Sequence, residues 1–129
     1  MKRRFENKVV LVTGASSGIG RATALSFARD GAKVAINYRL RVQQAQAVVA
    51  DIAATGGKAV AIAADISHED DIVRLFDETE RALGPITRLV NSAGVDGGAS
   101  RVDAFDAAVL AKLFAVNVTG LMLCCREAA

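Results

Sequence analysis

Glycines and hydroxyl side chains cluster early in the chain, where residues 13–20 read Thr-Gly-Ala-Ser-Ser-Gly-Ile-Gly. An apolar run at residues 9–12 comes directly before this segment, and a helical pattern at residues 21–30 comes directly after it. Glycines let a backbone turn tightly and approach phosphate oxygens, and a following helix aims unpaired N–H groups and a positive dipole end at them. The segment therefore has the chemistry and the position of a dinucleotide pyrophosphate site.

The glycine spacing narrows the type of site. Gly14, Gly18 and Gly20 are separated by three residues and then by one, which matches neither G-x-G-x-x-G nor a Walker loop, since no Gly-Lys-Ser/Thr follows. This spacing disfavours a nucleotide triphosphatase. We expect a bulky side chain at Gly18 or Gly20 to fill space that the cofactor needs, and an ordinary strand-to-helix turn remains the alternative.

Length and composition set the broad class of the protein. The chain has 129 residues, of which 52% are hydrophobic, so it fits one compact domain with a real core. Its net charge is +2, and basic residues concentrate only at residues 2–4, which gives little support for nucleic-acid binding. No apolar stretch reaches the roughly 18 residues of a membrane span, and the N-terminus lacks a signal-peptide core. We therefore expect a cytoplasmic protein with no membrane partner.

Residues that bind metals are few. Cys124 and Cys125 are neighbours and His68 is the only histidine, so they do not have the spacing of a metal site, and we expect no metal. The two thiols are expected to be free and buried on a helix face. His68 is expected to be an exposed residue at the start of a helix.

Apolar runs alternate with amphipathic segments along the chain, which predicts βαβ units and an α/β fold. The predicted strands are Lys8–Thr13, Lys33–Tyr38, Lys58–Ala64 and Arg88–Ser92. The predicted helices are Gly18–Asp30, Arg41–Thr55, His68–Leu83 and, after a short segment at Val102–Ala107, Ala108–Glu127. Right-handed crossovers then give a Rossmann-type, doubly wound parallel sheet in three α/β/α layers, with the strand order 3-2-1-4.

The third helix carries its own start signal. Ser67 and Asp70 form a pattern related to the helix capping box. One face of the helix then follows helical spacing, at Ile72, Leu75, Phe76, Thr79 and Leu83.

Polar and small residues follow the strands at the edge where such sheets bind ligands, outside the strand C-termini. The glycine-rich turn follows the first strand, Asp65 follows the third, and Asn91-Ser92-Ala93-Gly94 follows the fourth.

Four segments together resemble the short-chain dehydrogenases/reductases over essentially the whole chain. They are Thr13-Gly14-x-x-x-Gly18-Ile19-Gly20, Asp65, Asn91-x-Ala93-Gly94 and Asn117-Val118-Thr119-Gly120. Asn37-Tyr38-Arg39 and Cys125-Arg126-Glu127-Ala128 are similar to the glucose-dehydrogenase-like and ketoacyl-reductase-like branches.

The resemblance implies a set of cofactor-binding positions. The residues it places along the pyrophosphate are Gly14, Gly18, Ile19 and Gly20, with the hydroxyls of Ser16 and Ser17. It has Asp65 accept from the adenine amino group with help from the Ile66 backbone, although Asp65 could instead end the strand and cap the turn. It has Asn91, Ala93 and Gly94 hold the ribose side and brace the sheet, and Ser92 replaces the family's usual second asparagine.

Cofactor choice is expected at the end of the second strand, where a carboxylate would bind the ribose hydroxyls of NAD. Residues 37–41 read Asn-Tyr-Arg-Leu-Arg and contain no carboxylate. Arg39, next to Tyr38 at the adenine end, favours NADP because a guanidinium suits bidentate phosphate contact, with Arg41 as a helper. NAD remains the alternative, since Arg39 could be a solvated cation at a helix start.

The resemblance also implies a reaction, which is hydride transfer between a nicotinamide cofactor and an alcohol or carbonyl substrate, and a homo-oligomer, either dimer or tetramer. It makes Asn117 the catalytic-site asparagine whose carbonyl holds a water linking the catalytic lysine to solvent.

The family's catalytic Ser, Tyr and Lys are not present in these residues. The only tyrosine is Tyr38, and the residue four positions later, where the family has its lysine, is Val42. Residues 1–129 are thus expected to be an NAD(P)-binding Rossmann domain truncated before the catalytic Ser/Tyr/Lys region. A portion of an oxidoreductase, a catalytically silent dinucleotide-binding module and a fragment without nucleotide function stay open.

Overall fold

A computed structural model describes residues 3–129 and shows strands and helices in alternation. The strands are β1 (Val9–Val12), β2 (Lys33–Tyr38), β3 (Ala59–Ala63) and β4 (Arg88–Val90). The first three helices are α1 (Gly18–Arg29), α2 (Val42–Ala54) and α3 (Glu69–Leu83). After β4 come a 3₁₀ turn (Val102–Ala104), α4 (Ala107–Phe114), a π-helical segment (Ala115–Gly120) and α5 (Leu121–Ala128). All four predicted strands and the first three predicted helices are present, with ends that differ by a few residues.

The strands form one parallel sheet in the order β3-β2-β1-β4. In the register, Leu11 of β1 lies beside Ala35 of β2 on one side and Leu89 of β4 on the other. All four residues of β1 are buried, which explains why its sequence is a continuous apolar run rather than an alternating one. The predicted fold class and strand order are confirmed.

The two faces of the sheet support two separate cores. Val10 and Val12 pack with buried residues of α1 and α2, whereas Val9 and Leu11 pack with buried residues of α3 and with Cys124 of α5. This alternation follows from the period of two in a β-strand. The result is the expected three-layer arrangement.

The start of α3 differs from its prediction. The helix begins at Glu69 with His68 as its N-cap, and the Ser67–Asp70 capping pattern is not formed. Instead, the Ser67 N–H and hydroxyl both donate to Asp65 Oδ1, at 2.9 Å and 2.6 Å. Ser67 is therefore part of the turn before the helix, and the N-cap falls one residue later than predicted. The predicted inner face of α3, from Ile72 to Leu83, is buried as expected.

The last helical region is not the single regular helix predicted for Ala108–Glu127. Its middle is a π-helical segment, where the backbone is widened. Gly120 in this segment is buried, and a Cβ there would collide with the Ile66 carbonyl and lie 3.0 Å from the Ala115 carbonyl oxygen. The segment therefore brings the helix backbone directly onto the turn that follows β3.

The expectation that no part of the chain could span a membrane is wrong as far as length and composition go. The continuous helical region Ala107–Ala128 has 22 residues and is apolar enough for a span. Few polar residues interrupt this region, so its short apolar stretches add up to one long apolar helix. Val116, Gly120 and Cys124 form its buried stripe, which packs against the turn at Ile66 and against α3. The helix therefore has a place in the domain core, although its outer face is exposed.

We predict that Gly120→Ala destabilises the fold by about 1 to 3 kcal/mol, because the added methyl overpacks the contact with Ile66. A glycine-to-alanine change in an uncrowded helix would instead stabilise it by roughly 0.5 to 1 kcal/mol, so the sign of the effect is diagnostic. Urea unfolding of both proteins would measure it. Thr119→Ala, at the exposed neighbouring position, is the control and should stay within about 0.5 kcal/mol. A stabilised Gly120→Ala variant would contradict the contact.

Candidate dinucleotide site

Two adjoining cavities open at the C-terminal edge of the sheet and share the walls Gly14, Ala93 and Gly94. One, here named the Asp65 cavity, has a volume of about 140 Å³; its other walls include Asn37, Arg39, Asp65, Ile66 and Lys112. The other, the Ser17 cleft, has a volume of about 400 Å³; its other walls are Ser16, Ser17, Ile19, Gly20, Arg41 and Ser92. Together they form a groove that crosses the end of β1.

The three glycines of the turn meet different requirements. Gly14 has φ of +58°, and a Cβ there would lie 2.7 Å from the Ala93 Cα, so this position needs glycine for two reasons. Gly18 also has φ of +58°, but a Cβ there would meet no atom within 4 Å, which fits a side chain projecting into cofactor space. Gly20 is buried, and a Cβ there would collide with the Gly14 carbonyl. Glycine is therefore required here so that α1 can pack on its own turn. Gly20 also lines the Ser17 cleft, and its place along the pyrophosphate stays a prediction.

The N-terminus of α1 is suited to bind an anion. Ser17 is the N-cap, but its side chain accepts no hydrogen bond from the helix, and the first turn carries no acidic residue. In contrast, the first turn of α3 carries Glu69, Asp70 and Asp71. Unpaired N–H groups and the helix dipole favour a negative group at the α1 terminus. Ile19 is 82% exposed beside it, at the position expected to line the pyrophosphate.

Thr13 joins the turn after β1 to the segment after β4. Its hydroxyl oxygen accepts from the backbone N–H groups of Ser92 and Ala93, at 3.1 Å and 3.0 Å. Its own N–H donates to the Val90 carbonyl at 3.0 Å. Thr13 therefore holds Ala93 against Gly14 at the shared wall of the two cavities. Thr13 is the first residue of the glycine motif, but the motif's spacing does not predict this role.

Asn37 is a second residue whose role sequence reasoning missed. It lies in β2 and is only 1% exposed. Its Oδ1 accepts from the Gly14 N–H at 3.1 Å, and its Nδ2 donates to the Ala64 carbonyl at 3.2 Å. One amide thus bonds to the turns after β1 and β3. The available signal was a polar residue inside an otherwise apolar buried strand, which must find hydrogen-bond partners.

Asp65 lines its cavity and also caps the turn before α3. Besides accepting from Ser67, its carboxylate lies 3.3 Å from His68 Nδ1 through Oδ2. Burial tends to raise the pKa of Asp65, but the hydrogen bonds from Ser67 and the charges of His68 and Arg39 outweigh burial and hold the pKa below its ordinary value. The carboxylate is therefore ionised and acts as an acceptor. His68 is exposed at the helix start, as expected.

The residues after β2 separate into cavity and core positions. Arg39 is exposed on the wall of the Asp65 cavity and, within residues 3–129, forms no ion pair, and Arg41 is exposed on the Ser17 cleft. Tyr38 packs against the core under α1 and α2 and lies on neither cavity wall. The arginines can thus reach a ligand phosphate. For Tyr38, a role in cofactor binding stays a prediction.

The side chains of Asn91 and Asn117 join the segment that follows β4 to the last helical region. Asn91 Nδ2 donates to Cys125 Sγ at 3.4 Å, so this side chain braces β4 against α5 and is on neither cavity wall. Asn117, in the π-helical segment, accepts from the Val95 N–H at 2.8 Å and donates to the Val95 carbonyl at 2.6 Å. Asn91 thus bonds to a side chain of α5, whereas Asn117 holds the backbone at Val95 in place. Their predicted roles at the ribose and at a catalytic water are not tested by these contacts.

The two cysteines differ in their exposure to solvent. Burial, with Cys125 and Glu127 nearby, raises the pKa of Cys124 to about 11, so this thiol is inert. Cys125 is exposed, so the expectation that both thiols are buried is wrong. In the part of the chain that the structure describes, no cluster of three or more His, Cys, Asp or Glu residues could hold a metal.

The sheet order, the glycine turn and the groove across the strand ends define a Rossmann-type domain. The family model described as short chain dehydrogenase matches residues 8–129, and the chain belongs to this family.

Several relatives support this assignment. The chain is 44% identical over 126 residues to glucose 1-dehydrogenase of Gluconobacter oxydans, covering 98% of this chain and 47% of that protein. It is 42% identical over 119 residues to 3-oxoacyl-[acyl-carrier-protein] reductase of Synechocystis, covering 91% and 47%. A crystal structure of a Burkholderia cenocepacia short chain dehydrogenase in complex with NADP matches with a TM-score of 0.93 and 38% identity, covering 97% and 51%. The chain thus spans about half the length of these relatives.

Proposed function

We propose that this chain carries the cofactor-binding half of an NADP-dependent oxidoreductase, which transfers a hydride between the nicotinamide and an alcohol or carbonyl substrate. The groove that joins the Ser17 cleft to the Asp65 cavity carries this proposal, because a dinucleotide needs an anion site and an adenine site side by side. Family membership supports the reaction type. The nicotinamide supplies or accepts the hydride when the cofactor is bound.

Each wall of the groove has a task in this proposal. The N-terminus of α1 and the hydroxyls of Ser16 and Ser17 bind the pyrophosphate. Asp65 accepts from the adenine amino group, and the Ile66 backbone assists it. Ala93 and Gly94 border the ribose, and Asn91 braces the strand beneath them. Asn117 fixes the start of the substrate-side segment through Val95.

The preference for NADP rests on Arg39. Its guanidinium lies on the cavity wall with no ion-pair partner among the described residues, so a ribose phosphate could take it without breaking an existing bond. The carboxylate on that wall, Asp65, already interacts with Ser67 and His68. The NADP-bound relative makes the same choice of cofactor plausible for this fold.

We predict that the chain binds NADPH at least about tenfold more tightly than NADH, because one charge-assisted phosphate contact contributes roughly 1.5 to 3 kcal/mol. Arg39→Ala should remove most of that preference and leave NADH affinity nearly unchanged. Fluorescence titration with both cofactors would measure this. Arg29→Ala, an equal loss of charge at the far end of α1, is the control. Equal or tighter binding of NADH by the unaltered chain would refute the NADP assignment.

The second candidate function is a catalytically silent dinucleotide-binding module. It is favoured by the position of Tyr38, the chain's only tyrosine, which packs in the core away from both cavities. A proton donor for carbonyl reduction must come within hydrogen-bond reach of the reacting oxygen. If the chain is the cofactor-binding half of an oxidoreductase, the rest of a longer protein supplies that donor. If it is a silent module, no such donor exists.

A chain of these 129 residues should therefore reduce no small ketone, aldehyde or sugar lactone, even when it binds NADPH. Loss of general acid catalysis alone costs about 10²- to 10⁴-fold. Following NADPH absorbance with a substrate panel would test this, with the mass of 13.4 kDa confirmed beforehand. Turnover by a chain of that mass would be the contrary result. A natural protein of about twice that mass would favour the oxidoreductase over the module.

We further propose that the protein is a cytoplasmic homo-oligomer. The helical region after β4 exposes large apolar side chains on its outer face, namely Val109, Phe114, Val118 and Met122. Among the described residues, β4 pairs only with β1, so its other edge is open. Open strand edges and apolar patches both recruit partners.

Sedimentation at micromolar concentration is expected to show a dimer or a larger species. Replacing Phe114 and Met122 together by Gln should shift the distribution toward monomer, because both side chains are more than half exposed and their loss costs the fold little. The matched control is Leu40→Gln, which removes another exposed apolar side chain away from this helix. A monomer for the unaltered chain would rule out this interface.

A further inference from the structure

The amide of Asn37 is the only described side chain that hydrogen-bonds to the backbone of both the turn after β1 and the turn after β3. It reaches Gly14 through Oδ1, and Ala64 and Ile62 through Nδ2, the last at 3.4 Å. Gly14 belongs to both cavity walls, and Ala64 comes directly before Asp65. Asn37 therefore stands between the two places where a dinucleotide would be held.

The residue type at this position is tightly constrained. The site needs an acceptor for the Gly14 N–H and a donor for the Ala64 carbonyl from one short side chain. A neutral primary amide provides both, whereas a carboxylate provides only acceptors and an aliphatic group provides neither. Because the side chain is almost completely buried, water cannot replace a lost partner.

Asn37 also fixes the exit of β2. Its backbone carbonyl accepts from the Ala15 N–H at 2.8 Å, and the next carbonyl, of Tyr38, accepts from the Ala64 N–H at 2.9 Å. Arg39 leaves the sheet immediately afterwards, on the wall of the Asp65 cavity. The backbone at Asn37 and Tyr38, together with the Asn37 side chain, thus joins the exit of β2 to the glycine turn and to the Asp65 turn.

We propose that Asn37 is a positioning residue for dinucleotide binding, which couples the glycine turn to the Asp65 cavity so that the pyrophosphate and the adenosine part of one cofactor are bound together. This rests on the proposed function. Asn37 contacts the protein segments that bind the cofactor, and it takes no part in the reaction itself. Its loss should therefore weaken ligands that span the groove more than it weakens the fold.

Two substitutions separate the halves of this role. Asn37→Leu removes all the hydrogen bonds of the amide, so NADPH affinity should fall at least about tenfold while circular dichroism still shows a folded chain. Asn37→Asp keeps the acceptor for Gly14 but loses the donor to Ala64, so it should weaken adenosine 2′-monophosphate, a probe that needs only the Arg39 and Asp65 side. Asn37→Ser replaces Asn37→Leu if the latter does not fold.

Amide hydrogen exchange gives a readout that needs no ligand. The Gly14 N–H should exchange at least about tenfold faster in Asn37→Leu but remain protected in Asn37→Asp. The Ala15 N–H is the internal reference, because its partner is the Asn37 backbone carbonyl, which no substitution removes. The matched control variant is Thr79→Val, which deletes another buried hydrogen bond, to the Leu75 carbonyl, far from the groove.

The outcomes are distinct. If Asn37→Leu lowers stability as Thr79→Val does but leaves Gly14 exchange and NADPH affinity unchanged, Asn37 is only a core residue and the proposal is overturned. If the unaltered chain binds no NADPH, the proposed function fails on its own. In that case, unchanged Gly14 exchange in Asn37→Leu still overturns the coupling, and accelerated exchange supports it.

Discussion

The close approach of two backbone turns is the constraint on which the rest of the site depends. Gly14 lies so near Ala93 that there is no room for a Cβ, and the Thr13 hydroxyl holds the Ser92 and Ala93 N–H groups in that position. This contact creates a wall common to both cavities. Without it, the groove across the strand ends would be two unrelated depressions, and the helix dipole of α1 would face no defined pocket.

Much of the fold could be predicted because it follows from local rules. The continuous burial of β1 predicts a central parallel strand, and the spacing of Ile72, Leu75 and Phe76 predicts the inner face of α3. The strand order follows from right-handed crossovers with one reversal of direction. The glycine turn, Asp65 and Gly94 were expected at one edge, and the structure brings them to cavity walls there.

Other features could not be predicted because they depend on contacts between distant segments. The π-helical segment reflects the packing of Gly120 on Ile66 and the bonds of Asn117 to Val95, and periodicity carries no information about either. The role of Gly20 depends on a backbone carbonyl six residues earlier, which only folded geometry places beside it. Ser67 could have capped the helix with Asp70 or bonded to Asp65, and only the geometry of the folded turn selects Asp65.

The difference between the two left-handed glycines has a consequence for which sequences this turn can explore. Asparagine and aspartate tolerate a left-handed backbone better than other residues with a side chain. At Gly18, where a Cβ meets open space, asparagine can therefore replace glycine without changing the shape of the turn. At Gly14 the same substitution is excluded, because a Cβ would clash with the Ala93 backbone in addition to having to adopt the left-handed backbone angle. Two residues with the same φ thus differ in how freely they can vary among sequences that keep this fold.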